Sequence, residues 1–411
     1  MTTPQTAALA AADRIAVALT NPYLAATMHR GGRPWPQSLA GGAAGIALLH
    51  IERAHTGHGD HPTAHQWLTA AVEAPLSTAD NAGLFYGAPS LAFAVHAAHS
   101  GNGRYRDTLA RLDSATSAIT SKRLAAAHAR IERGERPTMK EFDLIRGLTG
   151  LAAYHLAFHP EHPLTVSTLT YLVRLTTPWR ADDPFPPWWT NVAPNGEPDP
   201  DQYPEGHGNV GLSHGIGSTL AVLSLAILQG VQIPGAEDAV RSICAWTDQW
   251  RQHDDTGPWW PGLISAAQAR DGKIAPYLRP RPSWCYGIAG TARAQQLAGM
   301  ALGDLDRQQT ADEAMLAALR DPAQLAQLDE IGLCHGKAGL LQAAWRMAAD
   351  ARTSQIADEL PALAGSLADD LSARMDDFEF LDGAAGAALA LHTVATATAP
   401  ASRWDAVLTL A

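Results

Sequence analysis

The chain has 411 residues, 41 of them acidic and 30 basic, for a net charge of −11 with histidine neutral. That length can hold one large domain or two to three ordinary ones. The acidic excess argues against nucleic acid or an anionic membrane surface as the main partner, because both would repel it. No apolar run approaches the roughly eighteen residues of a membrane span. The opening "MTTPQTAALAAADRIAVAL" has no basic segment ahead of a continuous apolar one. Three cysteines, Cys244, Cys285 and Cys334, are an odd count that does not suit an oxidised secreted framework. These features lead us to expect a soluble cytoplasmic protein whose cysteines are thiols or metal ligands.

In chain order, one short frame recurs seven times: "GGAAGIALLH" at 41, "YGAPSLAFAV" at 86, "RGLTGLAAYH" at 146, "HGIGSTLAVL" at 214, "YGIAGTARAQ" at 286, "HGKAGLLQAA" at 335 and "DGAAGAALAL" at 382. Each reads G-x-x-[GS] followed by an apolar, alanine-rich helix. The first glycines, at 42, 87, 147, 215, 287, 336 and 383, are 45, 60, 68, 72, 49 and 47 residues apart. Helix-pair repeats commonly run about 34 to 47 residues, so three spacings fit one hairpin and three carry insertions. The helices after the frames, such as "LTGLAAYHLAF", are apolar nearly all round and belong inside. Stretches between frames, such as residues 105–135, are polar enough for an outer layer. The predicted architecture is therefore all-α: one domain over 1–411, an (α/α)7 toroid of seven inner and seven outer helices. Small residues three apart should let the backbones approach closely at each helix start, with the loops gathered at one end. There seven positive helix N-termini would favour an anion or thiolate.

Two insertions depart from the helical pattern. Residues 178–204 hold eight prolines, and the stretches at about 178–210 and 254–282 carry the turn pairs Asn195-Gly196 and Asp271-Gly272. Both read as loops with short strands that could wall a substrate cleft beside the frames at 214 and 286.

The frames "SWCYGIAG" and "GLCHGKAG" supply Cys285, Cys334 and His335 on equivalent turns. Two thiolates and an imidazole form a zinc set. A catalytic zinc site keeps its fourth position for water or substrate. Adjacent residues of a regular helix diverge, so Cys334 and His335 can share a metal only at a loop-to-helix junction, which the frame provides. Buried cysteine is more often plain core, the role expected of Cys244 in "SICAWTDQW".

In that order and spacing, "GLSHGIGS", "SWCYGIAG" and "GLCHGKAG" resemble the signature of the LanC family, the lanthionine synthetase cyclases of lanthipeptide biosynthesis. The resemblance spans the whole chain. It implies an α,α-toroid with a small β-containing extension, acting as a stand-alone cyclase. The implied chemistry is zinc-assisted addition of a peptide cysteine thiol to dehydroalanine or dehydrobutyrine, closing a (methyl)lanthionine ring. It further implies a dehydrated lanthipeptide precursor as substrate. A dehydratase and an export transporter would be further partners in a membrane-associated complex. By motif position it implies His214 as the acid or base, Asp143 as a carboxylate that orients His214 or binds a donor from the peptide, and Arg281 and Tyr286 as groups steadying the enolate. Each has a competing structural role: packing for His214, helix capping for Asp143, a surface charge for Arg281 and ring packing for Tyr286. Glu205 and His207 read as insertion-loop structure. The sequence departs from the family pattern at Ser218, where Gly is frequent, and at Ala289, where Pro is usual; neither removes a polar catalytic group.

Other classes fit less well. Helical barrels also host glycosidases, which need a carboxylate pair, and zinc prenyltransferases, which need a diphosphate site. A non-catalytic scaffold that binds peptide or glutathione is the remaining alternative.

Overall fold

The computed structural model describes residues 3–27, 35–99, 103–178, 180, 182–373 and 377–411. Residues 179 and 181 of the first expected insertion fall outside these ranges, as do residues 1–2 of the opening stretch. The chain is mostly helical. Each of the seven frames opens a helix: α1 (Ala43–His55), α2 (Ala88–Ala98), α3 (Leu148–Phe158), α4 (Ile216–Leu228), α5 (Ile288–Leu302), α6 (Lys337–Asp350) and α7 (Ala384–Thr396). The first glycine of every frame is the N-cap residue of its helix.

These glycines serve a closer contact than the sequence suggested. A β-carbon at Gly287 would lie 2.0 Å from the Arg281 carbonyl oxygen, and one at Gly147 would lie 2.4 Å from the Asp143 nitrogen. The clash is with the loop leading into the same helix. The absent side chain lets that loop fold back on its own first turn. The second small residue faces its own loop too, Phe380 for Gly386 and Trp284 for Gly290, and also meets the neighbouring frame: a β-carbon at Gly386 would strike Leu333, and one at Gly290 would come within 3.0 Å of Leu212. Gly87 alone among the first glycines has a left-handed φ, +77°, where any side chain would be strained.

Two compact units divide the chain, one of residues 1–117 with 326–409 and 411, the other of 118–325 with 410. In the first, α6, α7, α1 and α2 pack successively. Helix Thr3–Ala18 lies against α7, and Gln355–Ala373 against α6. The amino-terminal helix is thus the outer partner of the last frame helix, a pairing of distant chain segments that buries the apolar face of each. In the second unit, α3, α4 and α5 pack in order, backed by Pro163–Leu175, Ala236–Gln249 and Leu305–Arg320. Nearly every side chain of α4 and α7 is buried, as the all-round apolar sequence predicts.

The insertions form short strands, as expected: β1 (His207–Asn209) in the first, β3 (Gly257–Trp259) and β4 (Leu263–Ser265) in the second, with β2 (Gln252–Asp254) starting just ahead of it. The first insertion pairs with the second, β1 antiparallel to β4 with Gly208 opposite Ile264, while β2 and β3 form a hairpin. Asn195-Gly196 makes a turn with Gly196 at φ +85°. Asp271-Gly272 ends the helix Ala266–Asp271, which Ser265 and Gln268 open with a capping box.

Three buried histidines carry a pH consequence. Burial pushes His50, His207 and His392 down to about 4, against an unfolded value of about 6.5. Between these limits the unfolded chain binds more protons, so the stabilisation is complete above about 6.5 and drains away as pH falls toward 4. The loss can reach about 3 kcal/mol per histidine. Urea midpoints should drop steeply from pH 7 to 4.5, and a flat profile would show that these imidazoles charge without cost.

Candidate functional site

In the second unit, backbone hydrogen bonds link the three frame loops in sequence. Leu144 N–H donates to the Ser213 carbonyl (3.3 Å), and Leu212 and Ser213 N–H both donate to the Cys285 carbonyl (2.8 and 3.2 Å). Because each loop is tied to the next just before its helix begins, the side chains these loops carry become neighbours. His214 Nδ1 lies 2.6 Å from Asp143 Oδ2. Asp143 is 1% exposed, and its other oxygen accepts the Arg146 N–H at 2.7 Å. The carboxylate therefore fixes its own turn with one oxygen and His214 with the other, while Gly147 is the N-cap of α3. With Nδ1 engaged, Nε2 is the nitrogen left for proton transfer.

The Tyr286 ring lies 6.4 Å from the His214 ring, tilted by 36°. Its hydroxyl oxygen accepts a long contact of 3.5 Å from Asn209 Nδ2. The Asn209 orientation is set by Gly211 N–H, which donates to Oδ1 at 3.0 Å. Burial raises the Tyr286 phenol above its ordinary value, against the opposing pull of hydrogen bonds from Asn209 and Ser213, so the group keeps its proton at neutral pH. A β-carbon at Gly211 would sit 2.7 Å from Tyr286 Cδ1; the glycine lets the ring lie against the backbone. Cys285 is buried, with Ser283 Oγ 3.5 Å from its sulfur. Arg281 is half-buried, and its carbonyl accepts the Ser283 N–H at 2.7 Å. Among the described residues its guanidinium makes no hydrogen bond or ion pair with His214 or Tyr286. Asn209 and Ser283 escaped the reading of the sequence. The one signal for Asn209 was a polar residue in an otherwise turn-rich stretch, five before His214.

In the first unit, Cys334 and His335 occupy the turn before α6, whose N-cap is Gly336. Leu333 and Cys334 N–H donate to the Leu381 carbonyl (2.7 and 2.9 Å). The two side chains thus leave a non-helical backbone, the condition the adjacent pair requires. His335 Nε2 is 2.6 Å from Glu330 Oε2, and Nδ1 is 3.6 Å from Asp382 Oδ1. Cys334 and His335 of this unit and Cys285 of the other offer two sulfurs and one nitrogen, donor types that match zinc chemistry. Cys244 has the opposite character: it is 2% exposed, and burial pushes its thiol up to about 12. His207 is fully buried in β1, with Nδ1 2.8 Å from the Val192 carbonyl, and Glu205 pairs with Arg270; both belong to the insertion framework.

Residues 33–409 match the family model for lanthionine synthetase C-like proteins, and the chain belongs to that family. Nisin biosynthesis protein NisC of Lactococcus lactis subsp. lactis is 23% identical over 211 residues, a match that covers 51% of this chain and about half, 49%, of that protein. The structure of nisin cyclase superposes with a TM-score of 0.77 at 19% identity, covering 92% of this chain and 93% of that one. That likeness shows the fold, which is mostly helical, as anticipated from the seven frames. No helix among the described residues is long and apolar enough to cross a membrane.

Proposed function

We propose that the chain is a zinc-dependent lanthipeptide cyclase, which adds peptide cysteine thiols to dehydroalanine or dehydrobutyrine and forms (methyl)lanthionine rings. The observation that carries this reading furthest is the 2.6 Å contact of His214 Nδ1 with the buried Asp143 carboxylate, with the Asp143 loop bonded to the His214 loop and that loop bonded in turn to the one that bears Cys285. Cys285, Cys334 and His335 would hold the ion. When bound, it supplies the peptide sulfur as a thiolate at neutral pH, where a free thiol of pKa about 8.5 is mostly protonated.

The chain's own residues supply the proton chemistry. A carbon–sulfur bond forms at the β-carbon, and the π pair of the alkene moves onto the α-carbon and its carbonyl. A proton must then reach the α-carbon. His214 Nε2 takes up the proton released when the peptide thiol ionises and returns it to the α-carbon, with Asp143 holding the imidazole in the required tautomer and stabilising its charged form. Tyr286, which keeps its proton, and Arg281 donate hydrogen bonds to the developing enolate oxygen. No atoms are gained or lost. The substrate is a dehydrated precursor peptide; a dehydratase and an export transporter are the partners that such a substrate implies, and the cytoplasm is the expected location.

Because ring closure is an isomerisation, product mass equals substrate mass. The test is to incubate dehydrated peptide with the protein, reduce any disulfides, and treat the mixture with a thiol-alkylating reagent. Each closed ring removes one adduct, and fragmentation should show one defined ring pattern. Zinc-free protein run alongside reports spontaneous closure. Equal alkylation with and without active protein would set the cyclase aside in favour of a peptide-binding scaffold.

A further inference from the structure

We propose that Glu330 is a positioning residue for the metal centre: it accepts the Nε2–H of His335 and so commits Nδ1 as the nitrogen that donates to the ion. This rests on the zinc assignment above and adds a residue that neither the frames nor the ligand set identifies.

The Glu330 Oε2 to His335 Nε2 separation is 2.6 Å, a charge-assisted hydrogen-bond length. Asp382 Oδ1, on the other side of the ring, is 3.6 Å from Nδ1, beyond hydrogen-bonding reach. Nε2 is thus the nitrogen that a carboxylate holds at hydrogen-bond length. An imidazole that ligates a metal through one nitrogen must carry its proton on the other, and a carboxylate on that N–H fixes the tautomer, steers the ring and raises the basicity of the donor.

Glu330 is itself held in place by backbone. Its carbonyl accepts Lys337 N–H at 3.0 Å, Ile331 accepts Ala338 N–H at 3.1 Å and Gly332 accepts Gly336 N–H at 3.2 Å. The loop from Glu330 to Gly336 thus wraps the first turn of α6. A β-carbon at Gly336 would lie 2.5 Å from the Glu330 carbonyl oxygen, so this wrap depends on the frame glycine. One structural unit therefore carries Cys334, His335 and the carboxylate that aims His335. Asp143 stands in the same relation to His214, as a loop carboxylate bonded to the histidine of a frame, although there the engaged nitrogen is Nδ1.

The test measures metal affinity rather than turnover. Zinc dissociation constants of the full chain are obtained by competition with a chromophoric chelator for wild type, Glu330→Ala and Glu330→Gln. Loss of such an outer carboxylate typically weakens metal binding by about 10- to 100-fold. Glu330→Ala should fall in that range, and Glu330→Gln should fall less because its amide oxygen still accepts from Nε2. Two-bond proton–nitrogen correlations on zinc-loaded, histidine-labelled protein should place the His335 proton on Nε2. Unchanged affinity in Glu330→Ala, or a proton on Nδ1, overturns the role of Glu330 while leaving the zinc site standing. A wild-type protein that binds no zinc overturns both. Should Glu330→Ala lose its helical signal, Glu330→Gln and the proton position in wild type still decide the matter.

Discussion

His214→Asn should form thioether rings roughly 10² to 10⁴-fold more slowly than wild type, the usual contribution of a general acid–base group, with metal content and helical signal unchanged. The asparagine amide N–H can take the place of imidazole Nδ1–H opposite Asp143 Oδ2, so the 2.6 Å contact has a substitute. Nothing replaces the proton that Nε2 carries. Asp143→Asn should also be slow, for a different reason. Both Asp143 oxygens act as acceptors, one for His214 and one for Arg146 N–H. An amide has a single acceptor, so either the turn or the imidazole meets an N–H facing an N–H. Rates should be read with dehydrated peptide and the alkylation assay, alongside zinc analysis. A wild-type rate in His214→Asn would reduce the imidazole to packing, and loss of zinc would make it a ligand.

Much of the fold was legible because its repeat is written in residues with no side-chain alternative. All seven frame glycines cap helices, and the all-round apolar stretches after them are buried. The purpose of the glycines was not legible. Spacing alone cannot show that a β-carbon at Gly287 would collide with Arg281 of its own incoming loop. Nor could spacing show the loop-to-loop bonds, such as Ser213 N–H to the Cys285 carbonyl, since these join backbones 72 residues apart. The same limit applied to side chains. His214 and Asp143 stood out through a motif, whereas Asn209 and Glu330, each five residues before a frame histidine, act through distances that this spacing alone does not reveal. Asp271-Gly272 was ambiguous for a related reason: a left-handed glycine serves a hairpin turn and a helix end equally well, and the Ser265 capping box decides for the helix.

Cys334→Ala should lose the bound metal and, with it, ring formation, while keeping its helical circular dichroism. Wild-type protein should hold one zinc per chain, with two sulfurs, one nitrogen and one exchangeable light ligand by X-ray absorption, because three protein donors leave the fourth position open. The fold should survive because the contacts that place residue 334 are made by its backbone: its N–H donates to the Leu381 carbonyl at 2.9 Å, and alanine keeps that bond. The helix beyond starts from Gly336 and is packed by Leu340, Leu341 and Met347, all fully buried. A metal-dependent fold would behave otherwise, since binding energy is then folding energy, and Cys334→Ala would melt. Cys244→Ser is the control that separates the thiols. Cys244 sits on the buried face of Ala236–Gln249, and burial holds its sulfur in the protonated form, so metal content should not change there. A Cys244 sulfur in the absorption spectrum, or full zinc in Cys334→Ala, would reassign the ligands and remove the ground for a thiolate supplied at neutral pH.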